Sequence, residues 1–415
     1  MFILGIESSC DDTSVALLDC SPKGCFVIKE VTASQIDLHK KYGGVVPELA
    51  GRAHAEKIVP LIEEVLRAPT LALPFLKREG NAVIPDAIAV TAGPGLITGL
   101  IVGVEAARIL SLVWDVPLIS VNHIWGHAHS VEICDTTALR HYNTATNEQN
   151  GQPEAEPKQL NSQTAKQLIN YPALALIASG GHTELIFMAG PNDYEKIGAT
   201  RDDAAGECFD KVAKLLELEY PGGPKISELA KTGRTDAIDF PRPMLKENNL
   251  DFSFSGLKTA ALYWLRDNKL AGTIIASDRR ERGNLWPTVM GLLRRFTPRN
   301  DKPSVNDFCA SFEQAIVDVL VGKTLKAVKL HNPKTIILGG GVAANKKLRE
   351  TLATAIAPTP SLSPSRAGGE MRLLIPNLKY CMDNAAMIAV AGYYQAQKKE
   401  FADWHTLVTN PNWEL

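Results

Sequence analysis

Charge of one sign is not in excess in this chain: 44 Lys and Arg stand against 46 Asp and Glu, for a formal net charge of −2. A global field that would gather nucleic acid or an anionic membrane is therefore absent, and any polyanion must be met by a local patch or a partner. Paired cysteine spacings are missing as well. The seven cysteines, at 10, 20, 25, 134, 208, 309 and 381, are odd in number and scattered, which argues against a zinc ribbon or a disulfide framework and suits a reducing cytoplasm. The opening run MFILGIESSCDD has no basic n-region, so no signal peptide is expected. The longest apolar stretch, 96–114, carries Glu105 and Arg108, which predicts a buried helix and no membrane association. Neither Gly-rich run, 179–181 or 339–341, is followed by Gly-Lys-Ser/Thr, which disfavours a P-loop nucleotidase.

What is present is enough for two or three domains with substantial cores: 415 residues, 45% hydrophobic and 22% charged. Apolar strand patterns alternate with helical ones, which predicts an α/β architecture. FILGI at 2–6, a polar turn through 8–12 and an apolar run to 19 read as two strands with a tight loop; LALIA at 174–178, SGGH at 179–182 and a second apolar run to 188 repeat that plan. This weak symmetry predicts two related halves facing one cleft. A third unit has a strand at 335–338, Gly339-Gly340-Gly341, and a helix beginning near Asn345. Gly99 and Gly103, four apart in the apolar helix, suit close packing against either a subunit or the helix's own sheet. Three segments read as inserted surface loops: 135–170, 277–302 and 358–370. In the second, seven basic residues face three acidic ones, so phosphate contact and a plain solvated loop are both open readings.

His123 and His127 are four apart, so both imidazoles fall on one helix face and can grip one metal ion. A zinc protease needs Glu directly after the first His, and Ile124 stands there, which disfavours proteolysis. Asp383 is the candidate third ligand, with the alternative that it caps the helix that follows. Asp11 and Asp12 are either an acidic turn or groups with a proton-transfer or cation task. Ser179, Gly180 and Gly181 offer backbone amides to phosphate oxygens, or form a simple turn. Asp202 and Asp203 suit the head of a helix, while Asp210, beyond its first turn, could accept from a sugar hydroxyl. Gly223 lies in a rigid turn that a ligand could approach, and Asn345 is a candidate N-cap.

Taken together, GIESSCDDT at 5–13, YGGVVPELA at 42–50, the His123/His127 pair, SGGHT at 179–183, DFSFSGLK at 251–258 and CMDN at 381–384 closely resemble the bacterial TsaD family of tRNA N6-adenosine threonylcarbamoyltransferases, formerly called glycoproteases. The match spans nearly the whole chain apart from the three insertions. The resemblance implies an actin-like ATPase (ASKHA) fold with two related α/β domains around a nucleotide cleft: an N-terminal domain over 1–125, onto which a helix over 384–400 packs back, and a C-terminal domain over 171–383. It implies transfer of a threonylcarbamoyl group from threonylcarbamoyl-AMP to N6 of the adenosine adjacent to the anticodon in tRNAs reading codons that begin with A. It further implies that His123, His127 and Asp383 hold one divalent metal, Fe(II) or Zn(II), and that Ile177, Ala178, Ser179, Gly180, Gly181, Asp210, Gly223 and Asn345 bind the adenylate, with ATP a second nucleotide candidate. Asp11 or Asp12 would assist proton transfer. The implied partners are tRNA, a TsaB-like dimerising subunit docking on the 96–114 helix, a TsaE-like ATPase and a separate synthase that supplies the adenylate. Asn122 stands where some relatives have a further His. Competing readings are a small-molecule kinase on the same fold, which needs no His-His-Asp site, and a nucleotide-dependent scaffold, which binds without making product.

Overall fold

The computed structural model describes residues 1–67, 78–79, 82–135, 169–268, 303–357 and 371–414. Of the three expected insertions, 277–302 and 358–370 lie outside the described residues, as does 135–170 except at 135, 169 and 170.

The chain opens with an antiparallel meander, β1 (Phe2–Glu7), β2 (Asp12–Ser21) and β3 (Gly24–Ser34). A small separate hairpin, β4 (Arg78–Glu79) with β5 (Ala82–Val83), precedes β6 (Ala87–Gly93), which joins β1 in parallel. β7 (Leu118–Asn122) adds in parallel to β6, and short β8 (Ile133–Asp135) borders β3, giving the order β7-β6-β1-β2-β3-β8.

The second sheet repeats this plan. β9 (Ala173–Ala178), β10 (Thr183–Gly190) and β11 (Asp193–Ala199) form an antiparallel meander; β12 (Thr335–Gly339) pairs in parallel with β9 and β13 (Arg372–Leu374) with β12. Its order, β11-β10-β9-β12-β13, matches the first sheet with β8 set aside. The repeat in the sequence is thus a duplicated α/β unit, the architecture of the actin-like ATPase fold.

Strand periodicity explains how both faces of each sheet are filled. In β9, Leu174 and Leu176 enter one core while Ala173, Ala175 and Ile177 enter another. In β1, Ile3 faces the core shared with the second sheet, and Leu4 and Ile6 face the opposite one. The Ala385–Gln397 helix lies in that shared core, against β1 and β2. Its approach is close because of small residues: a Cβ on Gly5 would sit 2.2 Å from the Ala385 carbonyl oxygen, and one on Gly392 2.5 Å from Ala89 Cβ. This contact fixes the residues just ahead of the helix over the end of β1.

The Ile97–Trp114 helix is long and apolar enough to cross a membrane by length and mean hydropathy (1.7). One of its faces nevertheless packs on its own half of the protein. Cβ atoms on Gly99 and Gly103 would lie 2.3 Å from Ser8 O and Ser8 Oγ, so the two glycines serve contact with the first loop rather than with a subunit. The expectation of a buried helix holds for that face alone: Ile97, Ile101, Ile109, Leu112 and Val113 are exposed. Arg108, which interrupts the apolar run, donates to Trp404 O and pairs with Glu105.

Candidate active site

β7 ends at Asn122, whose Oδ1 accepts the N–H groups of Ile124 (2.9 Å) and Trp125 (3.4 Å). This N-cap starts the short His123–His129 helix at the first histidine. One turn then brings His127 beside it, with ring centroids 4.7 Å apart and both side chains buried. Asp383 comes from the other end of the chain. It does not cap the helix that follows: Asn384 does, accepting the Met387 N–H at 2.8 Å. The cap one residue later leaves the Asp383 carboxylate free to face the imidazoles. Its Oδ1 is 3.2 Å from His127 Nε2 and 3.4 Å from His123 Nε2.

Behind His123 stands Glu7, the last residue of β1. Its Oε2 lies 3.0 Å from His123 Nδ1 and accepts the Thr91 hydroxyl at 2.7 Å; its Oε1 accepts the Ser9 N–H at 2.6 Å. Ser9 Oγ is 3.1 Å from the same imidazole nitrogen. Burial alone would push the His123 imidazolium toward deprotonation, but the Asp383 and Glu7 carboxylates overcome it and hold the pKa at about 10. Burial likewise opposes ionisation of Asp383, and His123 and then His127 outweigh it, holding this carboxyl well below the usual range. His127 is lowered by burial first. His182, whose ring is 6.3 Å from that of His123, is pushed down to about 4 by burial and then by the two neighbouring histidines.

These residues fit a metal ion. His127 is fully buried, yet neither ring nitrogen has a hydrogen-bond partner; its approach to Asp383 is close but off the line of a hydrogen bond. One ligand atom from each of His123, His127 and Asp383 lies within 4.8 Å of the others. Two imidazoles and a carboxylate suit Fe(II) or Zn(II), and a carboxylate on the outer nitrogen of His123 fixes its ring and tautomer.

Three small-residue loops carry most of the remaining candidate residues. Ser179 closes its loop on itself, its N–H donating to His182 O (2.8 Å) and its Oγ accepting the His182 N–H (3.1 Å). Gly180 and Gly181 remain open, with no atom within 4 Å of a Cβ position. Ile177 and Ala178 end β9 fully buried and paired with β10, so the structure opens neither of them to a ligand. Gly340, at φ +84°, folds the third loop onto the same strand, where a Cβ would lie 2.4 Å from Ala178 O. Asp210 Oδ1 accepts the Gly222 N–H at 2.7 Å, fixing the turn whose next residue, Gly223, has nothing nearer its Cβ position than Phe209 at 3.8 Å. Across the two halves, the Tyr220 hydroxyl donates to Asp11 Oδ2 at 3.3 Å. Asp12 begins β2, almost buried, with its Oδ1 unpartnered. Asn345 is an N-cap, its Oδ1 accepting the Leu348 N–H at 2.9 Å. Asp202 does not serve the helix that follows it, Ala205–Leu215; it accepts the N–H groups of Phe254 (2.8 Å) and Ser255 (3.2 Å) at the start of another helix.

A family model described as "TsaD: tRNA N6-adenosine threonylcarbamoyltransferase" matches residues 26–139 and 158–390. The chain belongs to the TsaD family. Its relatives of that name include one from Listeria innocua, 40% identical over 390 residues (94% of this chain, 90% of that one). Another, from Anoxybacillus flavithermus, is 38% identical over 412 residues, 99% of this chain and 96% of that one. In fold, the chain is similar to HypF from T. kodakarensis, with a TM-score of 0.52 and 12% identity over 96% of this chain and 48% of that one.

In this TsaD chain the main residue that sequence reasoning passed over is Glu7, although it stands within the GIESSCDDT motif. A lone acid ending an otherwise apolar, buried strand was the available signal. His182 beside the pair was likewise not singled out.

Two outcomes are expected. Glu7→Gln should weaken metal binding by roughly 10–100-fold while the fold persists, as read by metal titration; unchanged affinity would remove Glu7 from the site. Asp12 is raised to about 7, chiefly by burial and then by Asp11, Asp383 and Glu7 against a hydroxyl bond from Ser34. The proton it keeps contributes stability that is full below about pH 4 and lost as the pH rises through about 7. Asp12→Asn should therefore raise the Tm of metal-stripped protein more at pH 8 than at pH 5, and an equal difference at both would contradict the assignment.

Proposed function

We propose that the protein is a tRNA N6-adenosine threonylcarbamoyltransferase, moving the threonylcarbamoyl group of threonylcarbamoyl-AMP to N6 of the adenosine adjacent to the anticodon, forming t6A and releasing AMP. The observation that carries the reading to this site is the meeting of His123, His127 and Asp383 beside the open Gly180-Gly181 loop, in a chain of this family. His123, His127 and Asp383 hold a divalent cation, Fe(II) or Zn(II). When bound, it supplies Lewis-acid polarisation of the threonylcarbamoyl group.

The chain's own residues do the rest. Glu7 and Ser9 orient His123, and Gly180 and Gly181 admit the adenylate phosphate to backbone amides. Asp210 secures the Gly222-Gly223 turn against which the nucleoside rests. As the exocyclic amine bonds to the carbamoyl carbon and the bond to AMP breaks, the amine must shed a proton. Asp11, raised by burial and then by Asp383 and hydrogen-bonded by Tyr220, is the group that would take it. The exposed apolar face of the Ile97–Trp114 helix is the docking surface for a TsaB-like subunit, which with a TsaE-like ATPase and a separate adenylate synthase completes a cytoplasmic system. The near-neutral charge of the chain supports a tRNA site shared with partners.

Transfer is tested with purified partners, threonylcarbamoyl-AMP and unmodified tRNA, product nucleosides being read by mass spectrometry. Wild type should form the modified adenosine, His127→Ala should lose it, and Asp11→Asn should slow it by about 10²–10⁴-fold. Absence of product from folded, metal-loaded wild type would overturn the reading, and full activity of Asp11→Asn would remove that residue from the proton step.

A further inference from the structure

Glu313 lies on the Val305–His331 helix with only 7% of its surface exposed, between the core residues Phe312 and Ala315. Both groups that donate to it are neutral. Its Oε1 accepts the Ser227 hydroxyl at 2.6 Å and the Asn345 amide at 2.7 Å. The arginines that reach this helix pair elsewhere, Arg234 with Asp307 and Arg242 with Asp318, and among the described residues no cationic side chain forms an ion pair with Glu313. A nearly buried carboxylate without a cation is unfavourable, and its presence asks for a further donor.

The neighbouring hydrogen bonds say which atom would receive that donor. Asn345 Oδ1 is committed to the Leu348 N–H, so its amide orientation is fixed and its Nδ2 must point toward Ser227 and Glu313. Both amide hydrogens are thereby engaged, at 3.0 Å to Ser227 Oγ and 2.7 Å to Glu313 Oε1, and none is left for a ligand. Asn345 acts here as a positioning residue. Ser227 stands one helical turn beyond Gly223, on the same face of the Gly222–Ala230 helix. Glu313 is therefore anchored through one oxygen, between the Gly223 turn and the loop that ends at Asn345, with Oε2 as its remaining acceptor.

We propose that Glu313 is a specificity-determining residue for the nucleoside part of the adenylate, its Oε2 accepting a hydrogen bond from a ribose hydroxyl or from the exocyclic amine of the purine. This rests on the adenylate reading above. An ionised carboxylate only accepts, so it selects ligands that present a donor and rejects those that present an acceptor or nothing.

The test is calorimetric titration of the full chain with AMP, 2′-deoxy-AMP, 3′-deoxy-AMP and IMP. Wild type should bind AMP at least about ten-fold tighter than one of the three analogues, and Glu313→Ala should bring that ratio to within about two-fold. A deoxy analogue as the discriminated ligand identifies the hydroxyl; IMP identifies the amine. Glu313→Gln keeps an oxygen for Ser227 and Asn345 but places an N–H₂ donor where Oε2 was, so in the amine case it should turn the preference toward IMP, and in the hydroxyl case, where the hydroxyl oxygen can still accept but the charge-assisted bond is lost, it should shrink the ratio. This variant decides the matter if Glu313→Ala does not fold. Equal loss of affinity for all four ligands, or unchanged ratios, would overturn the proposal while leaving the adenylate reading intact. Failure of wild type to bind AMP at all would overturn both.

Discussion

The architecture of the site hangs on one carboxylate held against two imidazoles. Asp383 can take that position because the Ala385–Gln397 helix is seated on β1 at Gly5 and, through its own Gly392, on Ala89 of β6, and because Asn384 rather than Asp383 caps it. His123 and His127 can meet it because Asn122 starts their helix abruptly where β7 ends. Glu7 then braces His123 from behind. Each contact separately is an ordinary packing or capping interaction. Together they bring two negative side chains and two imidazoles into a space where water does not compete, which is why the charges there are so strongly biased. Such a cluster is stable when a cation or a proton balances it.

The duplicated fold divides the labour. The first half contributes Glu7, Asp11 and the histidine helix, and the second contributes the Gly180-Gly181 loop, Asp210 and the Gly223 turn. Tyr220 and Asp11 meet across the cleft, so the acid nearest the proposed proton transfer is also a joint between the halves. Asn345 and Glu313 form a second joint, between loop and helix within the C-terminal half. A family of transferases acting on tRNA would need such a cleft to keep a reactive adenylate from water while one end stays open to a much larger acceptor.

Much of this was legible in the sequence. Period-two apolar runs and small-residue loops announced the two halves, since a strand covered on both faces and a tight polar loop leave a strong local pattern. The His123/His127 spacing could be read because one helical turn fixes the relation of the two rings. What escaped were relations set by tertiary packing. Whether Asp383 or Asn384 caps a helix is a shift of one residue that spacing does not resolve, and it decides which side chain is free. Glu7 lay in plain sight within a motif, but its partner is His123, more than a hundred residues away in the chain. The 96–114 helix was read from composition as buried, and only the contact of Gly99 and Gly103 with Ser8 reveals which face that is and leaves Ile101, Ile109 and Val113 outside.

The most direct measurement is anomalous diffraction at the iron and zinc edges from crystals of the purified, metal-loaded protein. The account predicts one strong peak at bonding distance from His123 Nε2, His127 Nε2 and an Asp383 oxygen, with Glu7 outside the ligand set and in contact with His123 Nδ1. A peak that excludes Asp383, or a metal held elsewhere in the chain, would contradict it.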